Sequence, residues 1–174
     1  MAFLGWTTTL TPVTNNTSYT VSSWIACISS GICGDNATWV LDEDYTLTIF
    51  GTGEVTNGTW YDYDAGVDYR KSIKSVVVEE GITGLTGYSG GSSTIKVGLF
   101  FACSNLTSIT LPSTLTNISN GCFWNANNIT EVHIPSLDWW WRLSLSNIND
   151  TPVRSKGSVF VNGEAFTGEL VAPT

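Results

Sequence analysis

The sequence predicts a mainly β fold: a short solenoid preceded by a small β-hairpin/sheet module. Three observations predict it. First, Leu106-Thr-Ser-Ile109-Thr-Leu111-Pro112 returns 23 positions later as Ile129-Thr-Glu-Val132-His-Ile134-Pro135. An earlier copy, Ile73-Lys-Ser-Val76-Val-Val78, lies 33 positions before the first. A period in the twenties is the signature of stacked one-strand units. Second, Thr, Val, Ile and aromatic residues, which favour a pleated half-buried backbone, alternate along several short runs closed by Gly, Asn or Pro. Third, charged residues make up only 13% of the 174, and Ser, Thr, Asn and Gly stand in their place. That is a surface for neutral hydrogen bonding, as in many extracellular β proteins.

Residues 1–30 form a partial β segment with scattered apolar positions at Phe3, Trp6, Leu10, Val13, Tyr19, Val21 and Trp24. Pro12 suits an edge or strand end, and Asn15-Asn16-Thr17 suits a turn. Residues 31–72 form a small capping module. Thr38-Trp-Val-Leu41 is one strand, Asp42-Glu-Asp44 an exposed turn, and Tyr45 to Phe50 a second strand closed by Gly51-Thr-Gly53. The acidic triplet lacks the Gly and distant Glu of a known calcium loop. Trp60-Tyr-Asp-Tyr-Asp64 and Tyr69 have two readings. They cap the first repeat, or they stack on a carbohydrate.

Residues 73–174 are the repeats. Ile73, Val76, Val78, Ile82 and Leu85 match Leu106, Ile109, Leu111, Leu115 and Ile118, and should face inward. Strand alternation then turns Lys74, Ser75 and Val77 outward, with Thr107, Ser108 and Thr110, and Thr130, Glu131 and His133. Pro112 and Pro135 end their strands. The glycine-rich stretch from Gly84 to Ser93 is expected as a loop insertion on one face. Trp139-Trp-Trp141 cannot all face one way, so core packing, ligand stacking and subunit contact all stay open. Val159 to Glu164 is a strand and hairpin turn, and Leu170-Val-Ala-Pro173 a further strand start.

Composition excludes several functions. The net charge is −8 and the seven cations make no basic stripe, which argues against nucleic acid. No run of about 18 apolar residues exists, so the chain is not membrane-spanning. One His and four cysteines without a CxxC pair leave no common zinc set, so neither metal nor cofactor is expected. Cys103 and Cys122 suit small buried positions, and a Cys27–Cys33 bridge stays open. His133 has no nucleophile elbow or oxyanion motif around it, so no catalytic residue is assigned and the chain is not expected to be an enzyme. The Asn-x-Ser/Thr tripeptides, as at Asn105 and Asn128, are turn composition or, in a eukaryotic secreted chain, glycan acceptors. The start Met-Ala-Phe-Leu-Gly-Trp lacks the charged and apolar regions of a signal peptide. An excised fragment, another export route and a virion part assembled inside a host all fit.

Gly31 to the C-terminus resembles the BspA-like, or Treponema-type, leucine-rich-repeat surface proteins of bacteria. Gly31-Ile-Cys-Gly-Asp-Asn-Ala-Thr-Trp-Val-Leu-Asp42 and Leu47-Thr-Ile-Phe-Gly-Thr-Gly53 resemble the β module before such repeats. Ile73 to Thr83 and Phe101-Ala-Cys-Ser-Asn-Leu-Thr-Ser-Ile-Thr-Leu-Pro112 resemble the repeats, and Val161-Asn-Gly-Glu164 the irregular repeat that follows. Residues 3–21 are similar to the tail of a Listeria–Bacteroides surface repeat. The resemblance implies a short leucine-rich-repeat solenoid at the cell surface. It also implies non-catalytic adhesion to a host or cell-surface protein or glycan. The binding candidates are the outward residues Lys74, Thr107, Thr110, Glu131 and His133, with Trp139, Trp140 and Trp141. The alternative is a structural assembly protein, such as a phage virion decoration or fibre or an extracellular filament subunit, self-assembling through its N-terminal segment.

Overall fold

The computed structural model describes residues 26–90, 96–153 and 157–168. Its strands are β1 (Cys27–Ile32), β2 (Asn36–Asp42), β3 (Thr46–Gly58), β4 (Tyr61–Asp62), β5 (Val67–Asp68), β6 (Ser75–Val78), β7 (Ile82–Ser89) and β8 (Val97–Gly98). They continue with β9 (Ser108–Thr110), β10 (Asn117–Ile118), β11 (Glu131–Ile134), β12 (Ser144–Leu145), β13 (Ser158–Val161) and β14 (Glu164–Phe166). One helix, α1 (Leu137–Arg142), and a 3-10 turn, Ile148–Asp150, interrupt them.

The chain coils so that successive turns lay one strand on each of two sheets. In the first sheet β3, β6, β9, β11 and β13 are parallel neighbours, flanked by antiparallel β2 and β1 at one end and β14 at the other. In the second sheet β3, β7, β10 and β12 run parallel, and β8 folds back on β7. β3 belongs to both sheets. The expected closure of this strand at Gly51-Thr-Gly53 is corrected here: the strand runs on to Gly58. Gly51 at φ 112° and Gly53 at φ 87° bend it around the corner without ending its pairing.

Register places the repeat pattern in the interior as expected. Leu47, Val76, Ile109, Val132 and Val159 form one cross-strand row. The matched positions Ile73, Val78, Ile82, Leu85, Leu106, Leu111, Leu115, Ile118, Ile129 and Ile134 are buried too. A column of rings runs between the turns. Trp60 stacks on Phe100 at 5.3 Å and 10°, Phe100 on Phe123 at 5.2 Å and 16°, and Trp39 meets Trp60 edge-on at 5.9 Å. Trp60 is wholly buried and its indole N–H donates to the Leu99 carbonyl at 2.8 Å. Of the two readings for the aromatic stretch, Trp60 and Tyr61 therefore follow the cap, while Tyr63 stays 63% exposed.

Side chains close the gaps that the ladders leave. Thr107 donates its N–H to the Lys74 carbonyl at 2.9 Å and its hydroxyl to the same oxygen at 3.2 Å. Thr130 repeats this on Thr107, and Thr116 on Thr83. Asn105 and Asn128 donate side-chain amides to the carbonyls of Lys71 and Ser104. Asp150 is fully buried at the far end, where its carboxylate accepts from the N–H groups of Gly121, Cys122 and Asn147.

The glycine-rich stretch is a second correction: Gly84 to Ser89 is strand, not loop. A Cβ on Gly87 would lie 2.3 Å from the Thr56 carbonyl carbon, so glycine is what lets β7 close on β3. Residues 91–95, 1–25 and the strand start at Leu170 lie outside the described residues. The Val159 to Glu164 expectation holds, since Asn162 and Gly163 both take positive φ, 50° and 82°, in the tight turn from β13 to β14. All four cysteines are free thiols. Cys33, Cys103 and Cys122 are buried, and burial pushes the Cys33 and Cys103 thiols up to about 12.

Phe100 is flanked by rings on both sides, so no neighbour can collapse into its space. Phe100→Ala should cost about 3–5 kcal/mol in equilibrium denaturation, whereas truncating an exposed ring such as Tyr63 should cost little.

Candidate binding surface

Inward apolar residues leave the alternate positions of the parallel strands facing out. Register then sets them in rows. Thr48, Val77, Thr110, His133 and Phe160 are cross-strand neighbours in one row, and Thr46, Ser75, Ser108, Glu131 and Ser158 in the next. At a strand spacing of about 4.8 Å, five positions span roughly 19 Å. The surface is mostly short hydroxyl and methyl side chains. Its one large feature is at the β11–β13 end, where the His133 ring stacks on Phe160 at 4.6 Å and 15°. There His133 Nε2 also lies 3.7 Å from a Glu131 carboxylate oxygen.

The structure brings five of the candidate residues to this side. Thr110, Glu131 and His133 lie within the rows. Lys74 and Thr107 stand at the strand starts, where Lys74 Nζ sits 4.7 Å over the Tyr45 ring and the Thr107 hydroxyl is committed to the backbone ladder. The three tryptophans lie on helix α1, outside the strands that form these rows. Trp140 is 1% exposed and packs in the core, which corrects its assignment as a binding residue. Trp141 is 51% exposed. Trp139 is half-buried, with its indole N–H donating to the Leu115 carbonyl at 2.7 Å. A six-residue helix fans three consecutive side chains over about 200°, so one faces in and its neighbours do not.

Two features escaped the sequence. Phe160 joins the row because β13 pairs with β11, and an offset from His133 unlike the repeat spacing hides that pairing. Between α1 and the segment before β10 lies an open groove of about 450 Å³, lined by Trp139, Pro135 and residues of both segments. The lining residue Ser113 is held by Glu80, whose carboxylate accepts from the Ser113 N–H at 2.8 Å, the Ser113 hydroxyl at 3.0 Å and the Thr114 N–H at 3.2 Å. The Ser113 amide, first among these donors, holds the Glu80 carboxyl below the usual glutamate range. Among the described residues no His, Cys, Asp and Glu cluster could hold a metal, and no helix is long and apolar enough to cross a membrane.

A group whose folded pKa is depressed stabilises the fold above its unfolded pKa and loses that contribution as pH falls through the folded value. Wild-type stability should therefore drop below about pH 4.3, and Glu80→Gln should flatten this part of the acid limb in denaturation midpoints.

Residues 70–139, less than half of the chain, match the family model described as BspA type leucine rich repeat region, in six copies. Among solved structures, the 2.50 Å crystal structure of a leucine-rich repeat protein from Eubacterium ventriosum is similar at 19% identity, with a TM-score of 0.36. That likeness covers 67% of this chain and 39% of the other, so the match spans about two-fifths of that protein. No curated protein matches the chain.

Proposed function

From a chain that carries a BspA-type leucine-rich-repeat segment, we propose a non-catalytic, surface-displayed binding module of a bacterial protein that recognises a host or cell-surface protein. The carrying observation is the ordered outer face of the first sheet, with Thr48, Val77, Thr110, His133 and Phe160 in one row. Its Ser and Thr side chains have few rotamers to lose, and the backbone beneath them is held by ladders on both sides. The stacked His133 and Phe160 supply a flat, rigid anchor of the kind on which interface energy concentrates. Lys74 stands at the margin of this face and Glu131 in its second row beside His133, where charges steer and orient a partner. The same residues offer no converging nucleophile, base and oxyanion donors, and repeat proteins of this architecture bind through extended faces.

Thr110→Arg should abolish this binding without unfolding the protein, because it places a long charged side chain in the middle of the row. Binding to a panel of immobilised matrix and cell-surface proteins should fall at least about tenfold with the thermal midpoint unchanged. Undiminished binding would move the site off this face.

One observation favours the alternative of an assembly subunit. Among the described residues β1 pairs only with β2, carries no charged side chain, and leaves Ile28 and Ile32 42% and 69% exposed. Uncharged edges of this kind accept another strand. Light scattering should then give a mass above 18.8 kDa that grows with concentration, and Ile32→Lys should return it to the monomer. A constant monomer mass in the unaltered chain excludes this alternative.

A further inference from the structure

We propose that the groove between α1 and the segment before β10 is a second binding site, distinct from the sheet face, and that it takes a neutral saccharide.

One wall is the Trp139 ring. Its N–H is already satisfied by the Leu115 carbonyl at 2.7 Å, which fixes the ring and leaves it to offer apolar surface. Pro135 extends that apolar wall. Rings held in this way suit the C–H faces of pyranoses, which are apolar patches ringed by hydroxyls.

The polar lining selects for the hydroxyls. Ser113 donates its hydroxyl proton to Glu80, and Thr116 donates its own to the Thr83 carbonyl at 3.0 Å. Each oxygen therefore turns unused lone pairs outward. Asp138 adds carboxylate acceptors. Ser136 is in the opposite state: its oxygen accepts from the Trp139 backbone N–H, which frees its proton for a ligand. Arg142 adds further donors. The groove thus carries acceptors and donors side by side, and it suits a ligand whose polar groups both donate and accept. Sugar hydroxyls do both. A proline-rich peptide, which also suits Trp and Pro walls, brings carbonyls with few N–H groups and would leave the acceptors unmatched.

Charge points the same way. Asp138 and Arg142 cancel, and their 3.9 Å contact is loose, with the side chains 85% and 81% exposed. Either can turn to a ligand hydroxyl at little cost. A volume of about 450 Å³ falls in the range of small-molecule clefts, enough for one or two sugar rings.

Ligand-observed saturation-transfer NMR on the full chain, with lactose, cellobiose and chitobiose at millimolar concentration, tests this. Saturation should reach at least one sugar, strongest on its ring C–H protons. It should fall at least about fivefold in the double variant Asp138→Ala/Arg142→Ala, whose exposed positions leave the fold intact. Thr110→Arg should leave it unchanged, which separates this site from the sheet face. Three outcomes would overturn the proposal: no transfer to any of the three sugars, transfer equal in the double variant, or transfer lost in Thr110→Arg. A decaproline peptide that binds the groove while all three sugars fail would reassign it to peptide recognition.

Discussion

Each turn of this molecule has only the neighbouring turns to bury its apolar side chains against. That constraint shapes everything else. The three or four residues of β6, β9, β11 or β13 cannot build a core alone. Leu47, Val76, Ile109, Val132 and Val159 build one only because the strands align in register along the stack. The rings of Trp60, Phe100 and Phe123 extend the same principle to the segments between the sheets. Cys103 and Ala126 are buried in the same core. The Thr and Asn side chains at the strand starts satisfy carbonyls that a short strand would otherwise expose, so each turn is tied to the one before it by backbone and side chain together.

Within the described residues the two ends of the stack are covered by different means. At one end the β2–β3 hairpin places Trp39 against Trp60 and covers the first turn with antiparallel strands. At the other, β14 folds back on β13, and the 3-10 turn delivers the buried Asp150 carboxylate to the N–H groups of Gly121, Cys122 and Asn147, of which that of Cys122 is itself buried. These closures explain the irregular repeats. Ser158 to Val161 continues the first sheet, but Ile148–Asp150 follow no repeat spacing because they build the end.

Function follows from what the stacking leaves unused. Rows of short side chains on the outer sheet face have no partner within the turn, and the same register that aligns the core aligns them. The corner after β11 is different. There a helix stands where the other turns have a short irregular connection, and three tryptophans are distributed among core, groove wall and solvent. The molecule therefore offers two surfaces of different chemistry: a flat hydroxyl-rich face and a partly enclosed aromatic groove.

The repeat register was legible from sequence alone. Spacing of apolar residues identified which side chains face inward from Ile73 to Ile134, because strand alternation is a local property of the backbone. Turn chemistry was legible for the same reason at Asp42 to Asp44 and at Asn162-Gly163. Three things were decided only by the tertiary structure. Gly51 and Gly53 could end a strand or bend it, and pairing with β6 and β7 made them bend. Gly84 and Gly87 suggested a loop, but the nearness of Thr56 and Glu54 made them the condition for a strand. Trp139, Trp140 and Trp141 are one residue type in one run. Only the direction in which α1 meets the stack determined that one is buried, one lines a groove and one faces water. Local conformational preference is written residue by residue, whereas burial depends on which distant segment arrives, and the chain encodes that only through the fold as a whole.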